Sequence, residues 1–166
     1  MLFIGCDPGK QGGLVFTEGQ PTSAFTLNEM GLAIVKMPET AEEIYELLRD
    51  MTEGQEFRLF LELVPKWTGG LFQSNSSSAT LHHNYGLVHG IGLALGGVQS
   101  VQLLTPQLWQ KTVGCQNTEK PKLKKPAWKR KLAEHAKDLF PGRPVTLWNA
   151  DALLILWAGI FLAYEK

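Results

Sequence analysis

The stretch Phe3-Ile4-Gly5-Cys6-Asp7-Pro8-Gly9-Lys10-Gln11-Gly12-Gly13-Leu14-Val15-Phe16 decides the architecture. An apolar run ends in an acid, a Pro-Gly turn follows, then a Gly pair, then a second apolar run. Runs of this kind, separated by Gly and Pro, read as two strands joined by a tight connection. The first run has little alternation, which predicts a strand buried on both faces. A carboxylate at the end of such a strand is expensive to desolvate and needs compensation. A bound cation would supply it. So would a turn-capping role, which Asp commonly takes. This stretch alone leaves both open.

Two further acids share that setting. Glu62 interrupts the strand-like run Arg58-Leu59-Phe60-Leu61-Glu62-Leu63-Val64-Pro65, and Asp151 opens the strongly apolar helix of Asn149-Ala150-Asp151-Ala152-Leu153-Leu154-Ile155-Leu156. Each alone could serve as a salt bridge or a cap. Three acids at the margins of buried elements, far apart in the chain, together look like a carboxylate cluster built from two adjacent strands and a helix. Hard divalent cations favour such oxygen ligands.

Ile4-Gly5-Cys6-Asp7-Pro8-Gly9, the Leu61-Glu62 strand end and Ala150-Asp151-Ala152-Leu153-Leu154-Ile155 resemble the acidic motifs of RuvC-type Holliday junction resolvases, RNase H-like nucleases with phage and chloroplast members. Thr105-Pro106-Gln107-Leu108-Trp109-Gln110-Lys111 and the helix from Lys129 to Pro141 resemble the same family, and the ordered set runs along nearly the whole chain. The resemblance implies an α/β, RNase H-like fold: a mixed five-stranded sheet with helices on both faces, in a single domain over 1–166. It implies a structure-selective DNA endonuclease that resolves four-way junctions by symmetric nicking. Cutting two strands needs two active sites, hence a C2 homodimer. Asp7, Glu62 and Asp151 would hold two Mg²⁺ ions, about 3.5–4 Å apart in such sites, with Mn²⁺ as a substitute. One ion would activate water and the other stabilise the leaving 3′-oxygen, leaving a 5′-phosphate. Lys129 would steady the scissile phosphate or the developing charge. The family pattern carries a fourth ligand, Asp or His, one helical turn before the last acid. Here Trp148 stands at that position, which leaves the second ion one protein ligand short.

The remaining sequence is read around this frame. At 166 residues one domain with a sizeable core is expected. Cys6 and Cys115 form neither a disulfide framework nor a zinc pattern, and Cys6 reads as a small core residue. Met1 leads straight into a strand without the pattern of a signal peptide. The longest apolar run, Ala152 to Ala163, is too short to span a bilayer and reads as a central buried helix. The expected setting is a reduced one, the cytoplasm of a bacterial or phage-infected cell or an organellar matrix or stroma, with no membrane association and no secretion.

Net charge is zero but unevenly spread. Glu39, Glu42, Glu43, Glu46, Asp50, Glu53 and Glu56 crowd one segment, and Lys120 to Lys131 holds a run of cations. Such asymmetry predicts one face that avoids polyanions and one that binds them. Lys111, Lys122, Lys124, Lys125 and Arg130 are the expected phosphate contacts. Cations in the first turns of a helix oppose its dipole, so the placement of Lys129, Arg130 and Lys131 favours a phosphate site over a purely structural role.

Thr40-Ala41-Glu42-Glu43 matches a capping box and predicts a helix. A third strand is expected within Thr22 to Lys36, a fourth over Arg58 to Val64 and a fifth over Ser100 to Leu104. Ala79 to Leu95 reads as a helix whose Gly86 and Gly90, with Gly97 just beyond it, leave room for another backbone, which makes it the expected dimer seam. His82, His83 and His89 lack the spacing of a zinc site. Pro106 and Pro126 open two further helices. Asn149 is the expected N-cap of the last, with Trp148 and Leu153 spaced for a hydrophobic staple. Pro65 to Ser78 reads as a loop carrying Trp67 and Phe72. Both rings could fold back on the core. The resemblance favours one of them as a wedge against unpaired bases. Two rival functions stay open: a non-catalytic junction-binding protein on the same fold, and an actin-like nucleotide phosphotransferase. The chain is short for the two lobes of the latter and shows no second phosphate loop.

Overall fold

The computed structural model describes residues 1–19, 31–65, 75–118 and 120–164. In order they form β1 (Leu2–Asp7), β2 (Gly13–Glu18), β3 (Leu32–Lys36), α1 (Ala41–Thr52), β4 (Phe57–Glu62), α2 (Asn75–Gly96), β5 (Val101–Leu104), α3 (Pro106–Thr112), α4 (Lys125–Leu139) and α5 (Ala150–Tyr164). The five strands make one sheet in the order β3-β2-β1-β4-β5. β1 pairs antiparallel with β2 and parallel with β4, which is parallel to β5. The carboxyl ends of β1 and β4 therefore lie side by side. Cys6 is the register partner of Leu61, so the next residues, Asp7 and Glu62, end adjacent strands.

Side chains on a strand alternate between faces, and that alternation sorts the site from the rest of the core. Leu2, Ile4 and Cys6 belong to one apolar cluster with Ile44, Leu48 and Val88 of α1 and α2. Phe3 and Phe60 belong to the other, with α3, α4 and α5. Asp7 shares the parity of Phe3, and Glu62 that of Phe60, so both acids face the side that carries α5.

α5 is apolar all round, the pattern of a helix enclosed by protein, and every residue from Ala150 to Ile160 is buried. Two glycines let it lie directly on the sheet. A Cβ on Gly5 would stand 2.5 Å from the Ala152 carbonyl oxygen and 2.6 Å from Leu156 Cβ. A Cβ on Gly159 would overlap the Phe60 ring. Among the described residues no helix is long and apolar enough to cross a membrane.

The capping box forms as expected: Thr40 Oγ1 accepts from Glu43 N–H at 3.2 Å, and Glu43 Oε2 accepts from Thr40 N–H at 3.1 Å. Several boundaries move. β4 is Phe57–Glu62 rather than Arg58 to Val64, because ladder pairing stops just before the Pro65 break. α2 starts at Asn75, four residues before the expected Ala79. Ser and Asn compete for backbone hydrogen bonds and so resemble loop in sequence. Asn149 is not an N-cap. Its Oδ1 accepts from Thr146 N–H at 2.7 Å and its Nδ2 donates to the Pro144 carbonyl at 2.8 Å. Ala150 N–H already bonds the Thr146 carbonyl, so the first turn opens at Thr146 and Asn149 reaches back to close it.

Candidate metal centre

Asp7 ends β1 and is 8% exposed. Its Oδ1 accepts from Gly9 N–H at 3.0 Å. Gly12 packs so closely against the Asp7 carbonyl and carboxyl that any side chain there would overlap them. The hairpin thus pins one carboxylate oxygen and leaves Oδ2 on the Lys129 side. The turn-capping reading of Asp7 holds for Oδ1, and Oδ2 faces a cation of the protein itself.

That cation is Lys129, in the second turn of α4. Its ammonium pairs with Asp151 Oδ2 and stands 4.0 Å from Asp7 Oδ2. Burial disfavours the charged ammonium, but Asp151 first, then Asp7 and Glu62, outweigh it and hold the lysine above its ordinary pKa. Asp151, the second residue of α5, is 5% exposed. Burial raises its pKa against the opposing pull of Lys129. Its Oδ1 is buried and has no hydrogen-bond partner among the described residues. Glu62 accepts the Trp109 indole N–H on Oε2 at 2.9 Å. Burial, then the charges of Asp7 and Asp151, push the Glu62 carboxyl up to about 8, against the opposing pull of Trp109 and Lys129.

As the side chains stand, no three His, Cys, Asp or Glu groups among the described residues close on a single point as a ready-made ion site. The ammonium lies between two of the carboxylates instead. The donor set nonetheless suits a hard divalent cation. It is all oxygen, it includes an orphaned buried carboxylate oxygen, and three carboxylates face one lysine. The raised Glu62 pKa expresses the same surplus of negative charge.

The group opens into a cleft of about 650 Å³ lined by Asp7, Glu62, Asp151 and Lys129 with Trp109 and Trp128 among its walls. Lys10, at the tip of the β1–β2 hairpin, and Lys125, the first residue of α4, are exposed on its rim. Of the expected phosphate contacts, Lys125 lines this cleft. Lys111 is exposed in the last turn of α3, Lys122 and Lys124 in the segment before α4, and Arg130 on α4. Trp67 and Phe72 lie outside the described residues. Trp148 is half-buried with its ring against Gly13, where a Cβ would come within 2.8 Å of it. With the Asn149 amide tied to Thr146 and Pro144, neither residue adds a fourth carboxylate.

Sequence reading missed Lys10 and Trp109 as members of the site. The signal for Lys10 was present, since a residue at the tip of a short hairpin after Asp7 must stay near it. Trp109 carried only its place in the Thr105 to Lys111 motif, since an apolar residue on a short helix reads as core.

No family model matches the chain, and no curated protein matches it. Solved structures do. A Thermus thermophilus RuvC structure is matched with TM-score 0.59 and 17% identity, covering 99% of this chain and 96% of that one. T. thermophilus RuvC in complex with a Holliday junction substrate is matched with TM-score 0.61 and 18% identity, covering 100% and 96%. At such identities the likeness is one of fold, and it bears out the RNase H-like α/β architecture expected from the acidic motifs.

Proposed function

We propose that this protein is a metal-dependent, structure-selective endonuclease that resolves four-way DNA junctions by symmetric nicking. The observation that carries the reading is the gathering of Asp7, Glu62, Asp151 and Lys129 around one cleft, from two parallel strand ends and two helices. The fold likeness to a RuvC solved with a Holliday junction substrate supports the choice of DNA.

Asp7, Glu62 and Asp151 would hold two Mg²⁺ ions, with Mn²⁺ as a substitute. Bound metal supplies an activated water and stabilises charge on the leaving oxygen. The chain's own residues do the rest. The hairpin from Pro8 to Gly12 keeps the Asp7 carboxylate oriented. Lys129, released from the carboxylates, is on the cleft wall where it can steady a scissile phosphate. Lys10 and Lys125 on the rim, with Lys111, Lys122, Lys124 and Arg130, attract the DNA backbone. Trp67 or Phe72 would stack on unpaired bases at the junction centre. Two such sites belong to a homodimer joined through the exposed side of α2, where Gly86 and Gly90 meet nothing among the described residues.

The test is cleavage of synthetic four-way junctions in Mg²⁺, Mn²⁺ or EDTA. Asp7→Asn should lower cleavage by more than about 100-fold, beyond the loss typical of an outer-sphere partner. Junction affinity should persist, since losing a negative charge does not weaken attraction to phosphate. Wild-type cleavage by Asp7→Asn would put the active site elsewhere. The ammonium seated among the acids favours one rival, a junction-binding protein without turnover. Tight junction binding with no cleavage in any metal would support that instead.

A further inference from the structure

Trp109 is 1% exposed, and its indole N–H donates to Glu62 Oε2 at 2.9 Å across 47 positions of sequence. The contact follows from the topology. Glu62 pairs with Leu104, the last residue of β5. From there the chain turns at once into α3, which Pro106 opens and Thr105 caps by accepting Leu108 N–H at 3.1 Å. One turn of helix carries Trp109 back over the end of β4. Its ring is enclosed in the core beneath α5. An indole has a single donor and no acceptor. Held by packing, it cannot turn away from the carboxylate as an exposed donor would.

We infer that Trp109 is a positioning residue: it fixes Oε2 of Glu62 and so makes Oε1 the oxygen that ligates a divalent cation. This rests on the metal-dependent reading above. A free Glu side chain has three rotatable bonds, and ordering it costs entropy each time a ligand binds. A charge-assisted hydrogen bond from a rigid buried donor removes much of that freedom beforehand. Partners of this kind orient metal ligands generally, and their loss typically weakens metal affinity by about 10–100-fold.

Trp109→Phe keeps the ring and removes the donor. Calorimetric titration of the full chain with Mn²⁺ alone should show about ten-fold weaker binding than wild type, with junction affinity in EDTA unchanged. In a Glu62→Gln background the same change should cost nothing further. An independent readout avoids any variant that folds poorly. In the ¹⁵N-labelled wild type, Mg²⁺ should move the Trp109 indole resonance, identified as the one that Glu62→Gln shifts. If wild-type protein binds no Mn²⁺, the metal-dependent reading fails and this inference with it. If wild type binds Mn²⁺ but Trp109→Phe binds it equally, with the indole resonance unmoved by Mg²⁺, the inference alone is overturned. An equal loss in both backgrounds also overturns it, since that is a packing effect and not an action through Glu62.

Discussion

Glu62 sits where burial and two neighbouring carboxylates oppose its ionisation, so its proton is held to about pH 8 against an ordinary value of 4.5. A folded state that binds a proton more tightly than the unfolded chain gains stability from that group at acid pH. It loses that stability as the pH rises through the folded pKa. Asp151, raised by burial, acts in the same direction. Lys129, raised above 10.5, contributes stability that is fully present throughout this window. In EDTA, then, the wild-type Tm should fall between about pH 5 and pH 8 relative to that of Glu62→Gln, which cannot ionise. A tenfold difference in proton affinity between the folded and unfolded chain is worth about 1.4 kcal/mol, so the effect reaches a few kcal/mol at most. Mg²⁺ should reverse the trend, because the ion binds the deprotonated carboxylates. Parallel Tm-against-pH curves for the two proteins in EDTA would show that folding does not raise the Glu62 pKa.

At the scale of elements, the site depends on how closely α5 lies on β1 and β4. Gly5 and Gly159 set that distance. Gly159→Ala should force the helix away from Phe60 and cost about 1–3 kcal/mol, the usual penalty for overpacking. Scanning calorimetry reads the cost. The accompanying displacement of Asp151 should weaken Mn²⁺ binding as well, and unchanged Tm and metal affinity would mean that the helix has slack. The lead into α4 makes a separate contribution. Lys124 and Lys125 are both exposed at its start. Replacing both by Ala should reduce the slope of log affinity against log salt by up to about 1.8 if each touches one phosphate of a duplex arm. An unchanged slope would place them off the DNA.

At the scale of the whole molecule, symmetric nicking requires two copies of the cleft. The exposed side of α2 carries Gly86 and Gly90 one turn apart, with no atom of the described residues within 4 Å of where a Cβ would stand on either. Gly90→Arg should improve the helix locally, since Gly costs about 0.8–1.0 kcal/mol relative to good helix formers. Lost dimerisation would then not be lost folding. Sedimentation should give a dimer for wild type and a monomer for Gly90→Arg, and the variant should nick junctions without resolving them. A wild-type monomer under assay conditions would remove α2 as a seam.

Local pattern was enough for the parts that local chemistry controls. β1 ends on Asp7 and α3 opens at Pro106, as the sequence reads, and the capping box at Thr40 forms with both of its bonds. Asp7, Glu62 and Asp151 were legible as acids at the margins of buried elements, because an ionisable group next to an apolar run is conspicuous wherever it falls. Strand parity even sends Asp7 and Glu62 to the same face. What the sequence by itself could not determine is which atoms meet. The division of Asp7 between Gly9 and Lys129, the Trp109 donor on Glu62, and the Thr146–Asn149 start of α5 come from register, helix placement and packing. Partners separated by tens of residues, such as Glu62 and Trp109, leave no periodicity or turn signature in the chain. Their meeting was decided only when β5 paired with β4 and the core closed under α5.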